Sequence, residues 1–291
     1  MIQPPMLALL ALPPPPPPRL AAQALLWLFV VTALLWALVN VMKRSTLFFP
    51  DKYPTGNWDV SALEPRPTEH IITTPDGLKL HAWLFSAKDA DAPLLIFFHG
   101  NGGNLSHRAD TAEELERRGI SVLLFDYRGY GKSEGSPSES KLYVDGLAVY
   151  DYARTTLGAP AERIALYGES LGGAYAADVA ANRSVRCVVI QSSFPSAASV
   201  ANNAYRKPLG YLLGNSLPTA RSLNRARVPV LVIHGDADTI IPFACGKELY
   251  AALEGPKEML VIHGADHNDL TEVGGNAYFE RVAGFVRGHV K

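Results

Sequence analysis

Residues 164–175 restrict what this chain can become more than any other stretch. Ile164, Ala165, Leu166 and Tyr167 make a short apolar run that reads as a buried strand, and an Ala-rich helical pattern begins at Ala174. Between the two stands Gly168-Glu169-Ser170-Leu171-Gly172, a Gly-x-Ser-x-Gly spacing. A serine on a sharp strand-to-helix turn has strained backbone angles, and side chains two residues to either side would crowd it. Gly168 and Gly172 remove that crowding. Ser170 is thereby presented at a helix N-terminus, where free backbone N–H groups favour developing negative charge. It is the candidate nucleophile.

The N-terminal part of the chain follows other rules. Residues 20–42 carry no charge, and Arg19 on one side and Lys43-Arg44 on the other bracket them. At 1.5 Å per residue such a run forms a helix of roughly 34 Å, enough to cross a hydrocarbon core. A cleaved leader would have a shorter apolar region and small residues at a cleavage site, and neither is present here. The expectation is a transmembrane helix over 20–42, preceded by a Pro-rich tail over 1–19 and followed by a linker over 43–68. Residues 13–18, all proline, predict a short polyproline II segment. Lys43, Arg44 and Lys52 after the span slightly outnumber the positive groups before it, which favours a cytoplasmic C-terminal domain. A net charge of −1 leaves no basic field for nucleic acid. The two cysteines, Cys187 and Cys245, make neither a disulfide framework nor a zinc pattern, and both read as packing residues.

From residue 69 to 291 short apolar runs alternate with helical patterns, predicting an α/β domain with a mostly parallel central sheet flanked by helices. Residues 69–74 and 78–85 read as strands joined by a turn at Asp76-Gly77, and 94–98 as a strand buried on both faces. The latter ends in His99-Gly100-Asn101-Gly102-Gly103-Asn104, whose glycines let backbone N–H groups approach a reacting oxygen. The N–H groups of Asn101 and Leu171 are the candidate oxyanion hole. No Gly-Lys-Ser/Thr follows, so a nucleotide-phosphate loop is excluded, and His99 is expected to hold the loop by hydrogen bonds. Further strands are predicted at 121–126, 163–167, 186–191, 228–233 and 259–262, and helices at 105–118, 138–157, 171–182 and 275–289. Asp126 is expected to brace its loop through Arg128. Residues 194–225 break the alternation and read as a short lid, in which 208–213 could bind an acyl chain or pack as lid core.

Two carboxylates, Asp236 and Asp238, follow the strand ending at 233. Reach from the loop beyond the strand favours Asp238 as the acid, with Asp236 capping the turn. His267 lies in a polar loop past the last strand and is the candidate base, while His263 at the strand end reads as a packed histidine. The His263/His267 spacing would need a helix to make a metal pair, so no metal is expected. Ser170, Asp238 and His267 then stand in the order nucleophile, acid, histidine, each after a strand, and strand ends are where open α/β sheets place ligands.

The segments 99–104, 126–135, 168–173, 234–242 and 264–269 resemble those of the α/β-hydrolase superfamily, and within it the small membrane-anchored α/β-hydrolase-domain serine hydrolases that include protein depalmitoylases. The resemblance spans roughly 69–290. It implies a serine hydrolase with Ser170, Asp238 and His267 as its triad and does not fix a substrate. The triad chemistry needs no cofactor, and the apolar residues of the lid favour carboxylic ester or thioester bonds of a small-molecule or lipid acyl ester. The depalmitoylases carry an N-terminal cysteine cluster for lipid attachment, and here an apolar run stands in its place. A serine peptidase or amidase would need an acidic clamp that Arg206, Lys207 and Arg221 do not supply. A non-catalytic binding protein on the same fold would be expected to lack a triad member or an elbow glycine, and none is missing.

Overall fold

The computed structural model describes residues 22–23, 25–32, 47–64, 66–205 and 216–290. The chain divides into two units, residues 1–47 and residues 48–291. In the first, 22–23 and 25–32 are helical, with Leu25, Trp27 and Phe29 exposed. Among the described residues no helix is long and apolar enough to cross a membrane. The remainder of the span expected over 20–42, and the proline run at 13–18, lie outside the described residues.

The second unit is built on an eight-stranded sheet. Its strands are β2 (Thr68–Thr73), β3 (Lys79–Phe85), β4 (Leu94–Phe98), β6 (Ser121–Phe125), β7 (Ile164–Glu169), β8 (Val188–Gln191), β9 (Val230–Gly235) and β10 (Lys257–Ile262). A two-residue pair, β1 (Phe49–Pro50) with β5 (Gly102–Gly103), stands apart from it. The order across the large sheet is β10-β9-β8-β7-β4-β6-β3-β2, antiparallel only at β2–β3 and β3–β6. All five residues of β4 and all four of β8 are buried. Only a sheet covered on both faces tolerates such continuous runs, and burying each large apolar side chain contributes about 1.5–3 kcal/mol.

Seven α-helices among the described residues of this unit complete the layers: α1 (Ala109–Glu116), α2 (Glu139–Thr155), α3 (Gly172–Asn182), α4 (Ala197–Tyr205), α5 (Thr219–Ala226), α6 (Phe243–Ala252) and α7 (Leu270–His289). One face is closed by α1 and α7, where Leu115, Phe279, Val282 and Val286 join Leu95, Phe97 and Tyr167 in one core. The other face carries α2, α3, α5 and α6. Ala174, Ala176, Ala177 and Ala180 keep α3 thin enough to sit close to β7 and α5. The last helix begins at Leu270, earlier than residue 275 as expected, with a break at Gly275, whose φ of 51° is left-handed.

Two expected segments differ from what is observed. Residues 48–64, expected as part of a linker without periodicity, are hydrogen-bonded to the domain. Phe49 N–H donates to the Asn101 carbonyl (2.9 Å) and Asp51 N–H to that of Gly103 (3.0 Å), while Gly131 N–H donates to Asp51 (2.9 Å). Asn104 Nδ2 donates to the carbonyls of Asp51 and Thr55, and Trp58 packs edge-on against Trp83. A proline-broken stretch has no periodicity to read because its backbone groups are satisfied by loops instead of a ladder. Within the lid range 194–225, α5 packs against α3 as part of the flanking layer, and α4 packs on α6. Residues 208–213 lie outside the described residues.

Candidate active site

The parallel register brings the ends of β4, β7, β8 and β9 level: Phe98 pairs with Gly168, Glu169 with Gln191, and Gln191 with Ile233. The loops beyond them meet over one edge of the sheet. Ser170 sits on the turn between β7 and α3 with a φ of 52°, the left-handed region that costs a non-glycine residue free energy. Its N–H donates to the Gln191 carbonyl (2.8 Å), which anchors the turn to β8. The two glycines act through different neighbours from those expected. A Cβ on Gly172 would overlap the carbonyl oxygens of Phe98 and His99, and one on Gly168 the backbone of Gly173. The tightest crowding they relieve is therefore between the helix start and the strand ends.

Ser170 Oγ lies 3.0 Å from His267 Nε2, and His267 Nδ1 lies 2.8 Å from Asp238 Oδ2. A carboxylate only accepts, so Nδ1–H donates to Asp238 and Nε2 is left to accept the serine hydroxyl proton. All three residues are buried. Asp238 Oδ1 also accepts from the N–H groups of Ile240 (2.9 Å) and Ile241 (2.7 Å), and buried His234 Nε2 lies 3.2 Å from Oδ2. Burial pushes the Asp238 carboxyl up, but the hydrogen bonds from His234 and His267 outweigh it and hold it well below the usual carboxylate range. The His267 loop is fixed in turn by Asp266, which accepts from the N–H of Thr239 and of His267 (both 2.7 Å).

Asn101 lines a cavity of about 480 Å³ that opens beside Ser170 and His267. Its carbonyl accepts from the Phe49 N–H and from the Tyr130 hydroxyl (2.8 Å), and among the described residues neither the Asn101 nor the Leu171 N–H has a protein acceptor. His99 is fully buried, with Nδ1 donating to the Gly100 carbonyl (2.7 Å). None of the described residues of 194–225 lines the cavity.

Three expectations are corrected. Arg128 does not brace Asp126. Its guanidinium binds buried Asp145 on α2 (2.6 Å) and Asp76 (2.9 Å), while Asp126 accepts the Leu105 N–H (2.7 Å). An unpaired buried charge costs several kcal/mol, so Arg128 is drawn to the carboxylate that would otherwise stand alone. Asp236 caps the turn after β10 and not its own, accepting from Gly264 N–H (2.7 Å) and from His263 Nδ1 (2.8 Å). His263 is not packed: its side chain is 85% exposed. As for the cysteines, both are buried, and burial pushes the Cys187 thiol up to about 12.

Sequence reasoning passed over the ion pair nearest the serine. Arg108 and Glu169 line the cavity and join at 2.7 Å. Glu169 was in view as the variable residue of the Gly-x-Ser-x-Gly spacing, but nothing local marked Arg108, 61 positions away, as its partner. Gln191 also escaped notice. Its side chain forms a buried hydrogen-bonded cluster with the hydroxyls of Tyr167 and Tyr278, and Gln191 and Tyr167 line the cavity.

The sheet order, the serine turn and the three converging loops define an α/β-hydrolase architecture, and the chain belongs to the α/β-hydrolase family. The family model for the alpha/beta hydrolase fold matches residues 93–216. An uncharacterised protein of Mycobacterium tuberculosis is 35% identical over 246 residues, covering 84% of this chain and 87% of the relative. The uncharacterised protein YfhR of Escherichia coli is 30% identical, with 90% and 93% covered. The alpha/beta hydrolase domain-containing protein 17B of Xenopus laevis is 31% identical, with 79% of each covered. Among solved structures, the esterase Pf2001 of Pyrococcus furiosus superposes with a TM-score of 0.70 at 22% identity, over 84% of this chain and 98% of that one; at this identity the likeness speaks for the fold.

Proposed function

We propose that this protein is a membrane-anchored serine hydrolase that cleaves carboxylic ester or thioester bonds of acyl substrates through a covalent acyl-enzyme. The observation that carries the reading is the unbroken row of hydrogen bonds from Ser170 through His267 to Asp238. In the reaction, His267 Nε2 takes the Ser170 proton as Oγ attacks the acyl carbonyl. Asp238 holds the imidazole in the right tautomer and stabilises the imidazolium. The developing oxyanion is met by the N–H groups of Asn101 and Leu171, each such donor contributing about 3 kcal/mol in acyl transfer. His267 then protonates the leaving alcohol or thiol, and a water activated by the same imidazole releases the acid and restores Ser170.

A fluorophosphonate probe should react with the intact protein and leave a phosphonyl group on the peptide carrying Ser170, as read by mass spectrometry. A folded protein that turns over p-nitrophenyl esters yet carries no adduct on Ser170 would refute the mechanism.

The anchoring part of the proposal rests on the uncharged run over residues 20–42 and its basic flanks, which also favour a cytoplasmic catalytic domain. Full-length protein is expected to stay in the pellet after alkaline carbonate extraction, and protease added to sealed inside-out vesicles should digest the domain. Release into the carbonate supernatant would remove the anchor from the proposal.

A further inference from the structure

We propose that Arg108 is a positioning residue of the acyl-transfer site, setting the spacing between the two halves of the oxyanion hole. The inference deepens the serine-hydrolase reading and rests on it.

Arg108 closes a 3₁₀ turn, Leu105–Arg108, whose start is fixed by a reciprocal capping box between Asn104 and His107. From that fixed base the guanidinium reaches two loops at once. Its Nε and Nη2 donate to Glu169 Oε2 (3.2 Å) and Oε1 (2.7 Å), a two-point fork that lysine cannot reproduce. Its Nη1 donates to the Gly102 carbonyl (2.9 Å). Glu169 immediately precedes Ser170, two residues before Leu171, and Gly102 immediately follows Asn101. One side chain therefore ties the residue beside Asn101 to the residue two positions before Leu171.

The pair sits against the reacting groups. A Cβ placed on Gly100 would lie 2.9 Å from Glu169 Oε1 and 3.5 Å from both Arg108 Nη2 and the Ser170 Cβ. Both side chains are mostly covered, at 15% and 16% exposure, so the pair is screened less than a surface ion pair. Burial pushes the Glu169 carboxyl up, but the Arg108 charge outweighs it and keeps the group ionised. The two loops also need holding. Ser170 is in a strained backbone conformation, and the other bonds on the Asn101 loop, from Phe49, Asp51, Asn104 and Tyr130, tie it to 49–55 and to Tyr130 and not to the Ser170 turn. Misplacing a reacting group by 1 Å can cost about 10²-fold in rate.

The test uses the full-length protein and compares Arg108→Ala, Arg108→Lys and Glu169→Gln with the native chain and with Ser170→Ala, reading kcat and KM for a p-nitrophenyl ester, the second-order rate of fluorophosphonate labelling, and the thermal midpoint. For Arg108→Ala we expect kcat and the labelling rate to fall together by about 10- to 100-fold, with KM within about twofold of native. Arg108→Lys, which keeps the charge and loses the fork, should fall between. A folded Arg108→Ala protein with kcat within about twofold of native, or one whose loss lies wholly in KM, overturns the proposal. Should Arg108→Ala fail to fold, Glu169→Gln decides, because it keeps the shape and one acceptor. A drop of kcat by about threefold or more at a native thermal midpoint supports the clamp, and native kcat overturns it. Ser170→Ala separates the two readings. If that variant keeps its activity, the serine mechanism itself fails; if it is dead while the Arg108 and Glu169 variants are native, only the clamp fails.

Discussion

Ser170→Ala is expected to lower kcat for ester hydrolysis by about 10⁶-fold while leaving the fold in place. The variant removes one oxygen from a buried side chain and disturbs nothing that holds the turn. The Ser170 N–H still donates to Gln191, and the Gly168 and Gly172 contacts with the strand ends and the helix start are unchanged. Alanine at a φ of 52° bears the same backbone strain as serine does. The loss should therefore appear in turnover and in probe labelling, with little change in thermal midpoint. Binding and the oxyanion donors survive the substitution, so a residual rate of about 10³ over uncatalysed hydrolysis is expected to remain. Turnover within about tenfold of native would mean that another group attacks the carbonyl.

Asp238→Asn is expected to cost about 10⁴-fold in kcat, because an amide cannot do what this carboxylate does. Three donors converge on Asp238, from His267 and the N–H groups of Ile240 and Ile241, and His234 Nε2 lies 3.2 Å away. Asparagine has one oxygen to accept them, and its NH₂ group faces at least one donor head-on. His267 then turns to the wrong tautomer, with its proton on the nitrogen that should receive the one from Ser170. Asp236→Asn serves as the contrasting variant. It breaks only the contacts to Gly264 and exposed His263 and should keep kcat within about tenfold. Equal losses in the two variants would remove Asp238 from its special role.

The same carboxylate carries a pH signature. In the unfolded chain an aspartate titrates near 3.9, and in the folded protein Asp238 is held well below that. The unfolded state thus binds the proton first. The stabilisation linked to Asp238 is fully present above about pH 4 and drains away as pH falls toward the folded value. Denaturant midpoints between about pH 6 and pH 3 should show a shallower acid-side decline in Asp238→Asn than in the native protein.

Much of this arrangement is legible in one dimension, because its causes are local. A run such as Leu94–Phe98 reads as a doubly covered strand because every one of its side chains is apolar. The spacing of Gly168, Ser170 and Gly172 announces a strained turn because the positive φ of Ser170 and the Gly168–Gly173 approach are set within a few residues. The segments 48–64 and 194–225 were harder to read. Backbone groups of 49–53 pair with the loops at 101–103 and 131, the described helices of 194–225 pack on distant helices, and no period along the chain records such partners.

Chain order, strand ends, the nucleophile turn and the residue types available for the chemistry were determined by sequence alone, since propensity and patterning act between near neighbours. Which aspartate receives Arg128 and the bridge from Arg108 to Glu169 were decided only in three dimensions. Each joins positions 17 to 61 residues apart. Such pairs are selected by the cost of leaving a buried charge or hydrogen-bonding group without a partner, and that cost exists only once the sheet has brought the loops together.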